Sequence, residues 1–121
     1  MRNVLFGLLA VFAIAFAQEG HPLAGTWRGE WHPAAGQTTK LVIYMHWDGK
    51  SVVGMINPGP NAVALKTANF QGWQVHLEAD TKDNAHISAD GKMDKVGSYH
   101  RTITGTWMQG SAKGDFTLTR D

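Results

Sequence analysis

Residues 23–31 read LAGTWRGEW, and residues 103–110 read ITGTWMQG. The same Gly-Thr-Trp triplet thus stands near both ends of the part of the chain expected to fold. In the first copy Trp27, Gly29 and Trp31 alternate with Thr26, Arg28, Glu30 and His32. That spacing is the period of two that marks a strand with one buried face. Glycine lets a strand coil sharply, and tryptophan supplies a large apolar ring to stopper the end of a small barrel. The duplication therefore predicts that Trp27 closes one end of such a barrel and that Trp107, on the seventh strand, is its counterpart.

The intervening chain repeats the pattern. Leu41, Ile43, Met45 and Trp47 share one face, with Val42, Tyr44 and His46 opposite; Trp73, Val75 and Leu77 share another, with Gln74, His76 and Glu78 opposite. Phe116, Leu118 and Arg120 form the inner face of the last segment. Turn residues punctuate these runs: Asp48-Gly49, whose positive φ angles suit a tight type I′ hairpin, then Pro58-Gly59-Pro60-Asn61, Gln71-Gly72, Asp83-Asn84, Asp90-Gly91 and Gln109-Gly110. The predicted strands run over about 25–32, 39–47, 50–57, 62–70, 73–80, 84–89, 98–108 and 112–120, with 90–97 as a longer loop. Such a series loses its exposed edges by curling until the last strand pairs with the first. The expected fold is all-β, a small antiparallel up-and-down barrel of about eight strands. A β-sandwich is the competing arrangement.

The chain begins differently. Arg2 and Asn3 precede an uncharged apolar run, Val4 to Phe16, and Ala15-Phe16-Ala17 offers a small-x-small cleavage site. These features predict a signal peptide over 1–17 and an exported chain, periplasmic or secreted, with one domain over 18–121. No later segment is apolar enough to span a bilayer, so no membrane insertion is expected after cleavage. The chain has no cysteine, which excludes disulfides and places the burden of stability on the core. Beyond Arg2 there remain ten basic and ten acidic residues without blocks of one sign, which disfavours nucleic acid as a partner. No protein partner is indicated.

With LAGTWRGEW at one end and FTLTR (116–120) at the other, the chain resembles the calycin superfamily of barrels, which includes lipocalins, fatty-acid-binding proteins and avidins. The resemblance implies that Gly25 and Trp27 lie against Arg120, and that the barrel interior holds a small apolar molecule. No lid helices follow the first strand, and RGEWHPAAG (28–36) lacks the polar set with which avidins hold biotin. The resemblance therefore carries fold and not ligand.

In GSYHRTITGTW (97–107), Tyr99, Arg101 and Ile103 fall on the same face as Trp107. An inward guanidinium beside a phenol would anchor a ligand carboxylate, as fatty-acid-binding barrels do with a similar pair. Against this stands a purely structural Arg101, stacked on a tryptophan or turned to solvent. Trp31, Trp47 and Trp73 are core residues by default and ligand-stacking residues if they line a pocket. Arg120 is expected to place its cation over Trp27. Small residues (Gly29, Gly54, Ala62, Ala64, Ala68) would leave room inside.

Six histidines occur, none as His-x-His or His-x-x-x-His, so no metal and no cofactor is expected. His76 and His86 are placed as cross-strand neighbours on the outer face beside Glu78, read as solvated polar residues. No serine lies in a Gly-x-Ser-x-Gly elbow, Asp48, Asp83 and Asp90 are assigned to turns, and Lys113 in GSAKG lacks phosphate-loop spacing. No catalytic residues are assigned. Two readings remain: a barrel that binds a small apolar or acidic ligand, and a non-enzymatic structural or interaction module whose barrel is filled by its own side chains.

Overall fold

Eight strands follow one another in the computed structural model, which describes residues 21–94 and 100–121. They are β1 Gly25–Trp31, β2 Thr39–Trp47, β3 Val52–Ile56, β4 Val63–Gln71, β5 Gln74–Asp80, β6 His86–Asp94, β7 Thr102–Gln109 and β8 Ala112–Arg120. Each pairs antiparallel with the next, and β8 returns to β1, giving a closed up-and-down barrel. The closing ladder matches Trp27 with Arg120, Gly29 with Leu118 and Trp31 with Phe116. The two strands that carry the Gly-Thr-Trp signature, β1 and β7, do not pair: β8 lies between them, bonded to β1 on one side and to β7 on the other. The signal peptide expected over 1–17 and the Tyr99 ligand assignment lie outside the described residues.

Alternation sorts the side chains as the sequence predicts on most strands. Trp27 and Trp31, Leu41, Ile43 and Met45, Val75, Leu77 and Ala79, and Phe116 and Leu118 all point inward and are buried. Among the described residues the buried set is entirely apolar. At one end Trp107 packs edge-on against Phe116 at 5.7 Å between ring centroids and tilts against Trp31 at 6.1 Å. Its indole N–H donates to Gln109 Oε1. Toward the other end Trp27 is fully buried, and its indole N–H donates to the Leu23 carbonyl at 2.9 Å. Each tryptophan thus buries its rings and still satisfies its one polar atom.

Three sequence expectations need correction. The Asp90-Gly91 turn does not form: β6 runs on to Asp94, with Asp90 opposite Thr106 and Gly91 opposite Gly105. Ile87, Ala89, Gly91 and Met93 continue the inward alternation through the Asp-Gly pair, so burial overrides local turn chemistry. Trp73 does not join Val75 and Leu77 inside. It sits in the β4–β5 turn after Gly72, with φ of 56° and 71° for the two residues, as a type I′ turn demands. There it is 46 % exposed, with its ring against the edge of Phe70. The Asp48-Gly49 turn widens to four residues, because Asp48 Oδ1 accepts from the amides of both Lys50 and Ser51.

Gly105 shows why the second triplet starts with glycine. A Cβ at that position would lie 2.0 Å from the Asp90 carbonyl oxygen and 2.5 Å from the Gly91 Cα. The β6 and β7 backbones approach so closely there because the barrel coils sharply, and Gly91 opposite leaves space for the Phe116 ring. Gly105→Ala is expected to lower unfolding stability by about 3 kcal/mol, since backbone rather than a side-chain tip must yield. Urea denaturation of the two proteins measures this; a change under about 0.5 kcal/mol would contradict the close approach.

Candidate functional site

The interior is the first place to look for a site, and it is lined by a buried apolar cluster against which the partly buried Trp47, Val63, Leu65 and Phe70 pack. Trp31, expected to line a pocket if one existed, is 5 % exposed between Trp107 and the β1–β8 ladder. Trp47 is half-buried and stacks on His21 at 5.2 Å between ring centroids, with the rings only 14° from parallel. Trp73 stands outside, in its turn. The small residues expected to leave room do not. A Cβ on Gly29 would strike the Thr117 carbonyl and one on Gly54 the Tyr44 carbonyl, so backbone already fills those gaps. Ala62 follows a turn, Ala64 is exposed, and Ala68 packs against the core from β4 beside Val63, Leu65 and Phe70.

Arg101 falls just before β7 and is partly buried at the end of the barrel where β1 begins. The stretch Pro22-Leu23-Ala24 crosses that end, and three successive carbonyls there accept hydrogen bonds. Pro22 takes Arg101 Nη1 at 3.4 Å, Leu23 takes the Trp27 indole, and Ala24 takes Arg120 Nη1 at 3.3 Å. Gly25, with φ of 130°, lets the chain turn from this crossing segment into β1, and its missing side chain makes room for the Arg120 stem. Gly25, Trp27 and Arg120 therefore come together, with the Arg120 guanidinium directed to the Ala24 carbonyl. Burial, and secondarily the charge of Arg101, push the Arg120 pKa below its ordinary value. Both arginines reach the entry segment, a contact that neither reading weighed for Arg101 included.

On the outer wall a groove of about 560 Å3 crosses β1, β2 and β3. Val42, Tyr44, Met55 and Pro58 form its apolar side, and Arg28 and Asn57 its polar side. Tyr44 and Met55 are 42 % and 38 % exposed, large apolar surfaces that the barrel leaves unused. Arg28 is held by Asp121 at 2.6 Å.

A second outer feature lies across β4, β5 and β6. His76 contacts Asp90 through Nδ1 at 2.6 Å and Glu78 through Nε2 at 3.0 Å. His86 contacts Asp80 through Nδ1 at 2.8 Å and Glu78 through Nε2 at 3.1 Å. Lys66 extends the chain by a 3.0 Å pair with Asp80. Alternation placed His76, Glu78 and His86 on one outer face, but the two histidines are not the cross-strand neighbours expected. His76 stands opposite Asp90 and His86 opposite Asp80, with Glu78 between them along β5. The part played by Asp90 was hidden by its reading as a turn residue. Asp90, chiefly, and Glu78 raise the His76 pKa, and Asp80 does the same for His86. Reciprocally, His76 lowers Glu78, and His86 with Lys66 lowers Asp80.

No protein-family model matches the chain, and no curated protein or solved structure matches it either. Among the described residues no helix is long and apolar enough to cross a membrane.

The signs of these shifts set a pH window. The raised histidines stabilise fully below their unfolded value of about 6.5, and that contribution fades as pH climbs through their folded values. The lowered carboxylates stabilise above about pH 4 and lose that contribution as pH falls through their folded values. The chain therefore contributes most in mildly acidic solution, and only modestly because its members face solvent. Unfolding midpoints in urea from pH 4 to 9 should decline above pH 6 in the wild type. They should decline less in the His76→Gln/His86→Gln double variant. Parallel profiles would contradict this reading.

Proposed function

We propose that the protein is an exported, non-enzymatic interaction module of the calycin kind, whose interior is filled and whose binding surface is its outer wall. One observation carries this reading: Trp27, Ile43, Met45, Leu77, Ile103, Trp107 and Leu118 are all wholly inaccessible, so the volume that would hold a ligand holds side chains. An eight-stranded barrel is just wide enough for its own residues to fill. The meeting of Gly25, Trp27 and Arg120 supports the calycin resemblance. Export rests on the apolar 1–17 segment and its Ala15-Phe16-Ala17 site. Arg101, turned to the Pro22 carbonyl, secures the barrel end instead of waiting for a ligand carboxylate.

The outer groove is the surface best suited to contact. Tyr44 offers a broad ring with few rotatable bonds, Met55 an adaptable side chain, and Pro58 a rigid rim. Tryptophan emission separates this reading from an internal ligand. Titration with long-chain fatty acids or flat aromatic compounds should leave the buried Trp27, Trp31 and Trp107 emission unchanged, and native mass spectrometry should return the bare chain mass. A saturable change in that emission, or a co-purifying small molecule, would overturn the filled-barrel reading.

A further inference from the structure

The barrel is closed, but one of its seams is only partly bonded. β3 has five residues and β4 nine, and their ladder holds only Met55 with Ala64 and Ile56 with Val63. On its other side β4 stays paired with β5 as far as Gln71. Two local features draw the strands apart. A bulge between Leu65 and Thr67 bends β4. On β3, Gly54 lies so close to the Tyr44 carbonyl that the strand hugs β2.

The backbone groups left over can be named. Gly72 and Trp73 make a two-residue turn, so Gln71 and Gln74 form a hydrogen-bonded pair. Alternation along the ladder then turns the N–H and C=O of Ala68 and Phe70 away from β5, toward the open seam. Among the described residues no backbone hydrogen bond reaches them from that side. The side chains show the same opening. Leu65, Ala68 and Phe70 are only half-buried, whereas Ala79, Leu77 and Val75, opposite them on β5, are buried.

We propose that residues 66–71 of β4 take up an extended, uncharged peptide segment of a partner protein as an added strand, with apolar side chains at its alternate, inward positions. This role rests on the reading of the protein as an interaction module, and not on the outer groove. An unpaired edge is a template for another main chain: the Ala68 and Phe70 backbone groups would supply affinity, and the half-buried Leu65 and Phe70 would select the inward side chains. Charge also narrows the partner. Across residues 52–54 and 66–71 the one charged side chain is Lys66, and Asp80 already holds it at 3.0 Å. A charged residue entering the seam would lose water without gaining a counter-ion. A second copy of the barrel suits the edge less well, because the inner residues of its own β4 already pack against its own core.

Random octapeptides displayed on phage and selected against the immobilised protein test this role. The most enriched sequence, synthesised, should shift the amide resonances of 66–71 in NMR spectra and slow exchange of the Ala68 and Phe70 amides. Ala68→Pro removes a donor that the barrel itself does not use, and should weaken binding at least about tenfold while circular dichroism shows the barrel intact. Methylating alternate backbone nitrogens of the peptide makes the same test on the unaltered protein. One alternate set should abolish binding and the other leave it, as strand pairing requires. Equal tolerance of both sets overturns the proposal, and so does a selection that enriches no binder. Shifts confined to Arg28, Tyr44 and Met55 overturn it in favour of the outer groove. Shifts of 66–71 that follow protein concentration without peptide overturn it in favour of a second copy. The interaction-module reading fails separately, through a ligand found inside the barrel.

Discussion

The ladder between β1 and β8 is the constraint on which the rest depends. Until those strands pair, the chain is an open sheet with two hydrogen-bonding edges and a one-sided apolar face. Once they pair, every strand has two neighbours and the inner faces enclose a common core. The ladder joins residues about ninety positions apart, such as Trp27 and Arg120, so it forms against a large loop-closure entropy. What offsets that cost is the apolar surface that only closure buries. Trp27, Trp107, Phe116 and Leu118 are inaccessible or nearly so, and each buried aromatic ring removes a large area from water. In a chain without cysteine, no cross-link shares that load.

Closure also sorts the side chains. Tryptophan and aliphatic residues gather in the interior, and alternation sends the polar residues outward. The two ends are secured differently. One is plugged by the Trp31, Trp107 and Phe116 rings. The other is crossed by residues 22–24, whose carbonyls receive two arginines and an indole. Arg101, the residue with the most obvious ligand chemistry in the sequence, gives one Nη1 contact to that segment.

Much of the barrel was legible because its signals are periodic. Alternation in 41–47 and 116–120 assigned Leu41, Ile43, Met45, Phe116 and Leu118 to the core, and the repeated Gly-Thr-Trp pointed to two barrel-end rings, Trp27 and Trp107, both of which are buried. The failures occurred where a short-range signal competed with a long-range one. Asp90-Gly91 has the chemistry of a turn, yet Gly91 is needed opposite Gly105, and the inward Met93 draws the strand onward. Trp73 has the hydrophobicity of a core residue, yet the Gln71–Gln74 pairing places it in a two-residue turn. The same logic hid the room inside. Gly29 and Gly54 look like vacant space in the sequence, but they are glycine because a neighbouring backbone occupies that space. Contacts between strands, unlike alternation along one, depend on register, and register is written in no single segment.

Cross-strand proton contacts in solution test the closed, filled cylinder most directly. In an isotope-labelled sample, nuclear Overhauser effects should connect backbone protons of Gly29 with those of Leu118, and Trp31 with Phe116. The β1 and β8 amides in that ladder should exchange with solvent as slowly as those of β5 and β6. Fast exchange along both terminal strands, with no contact between them, would show an open sheet and contradict the account.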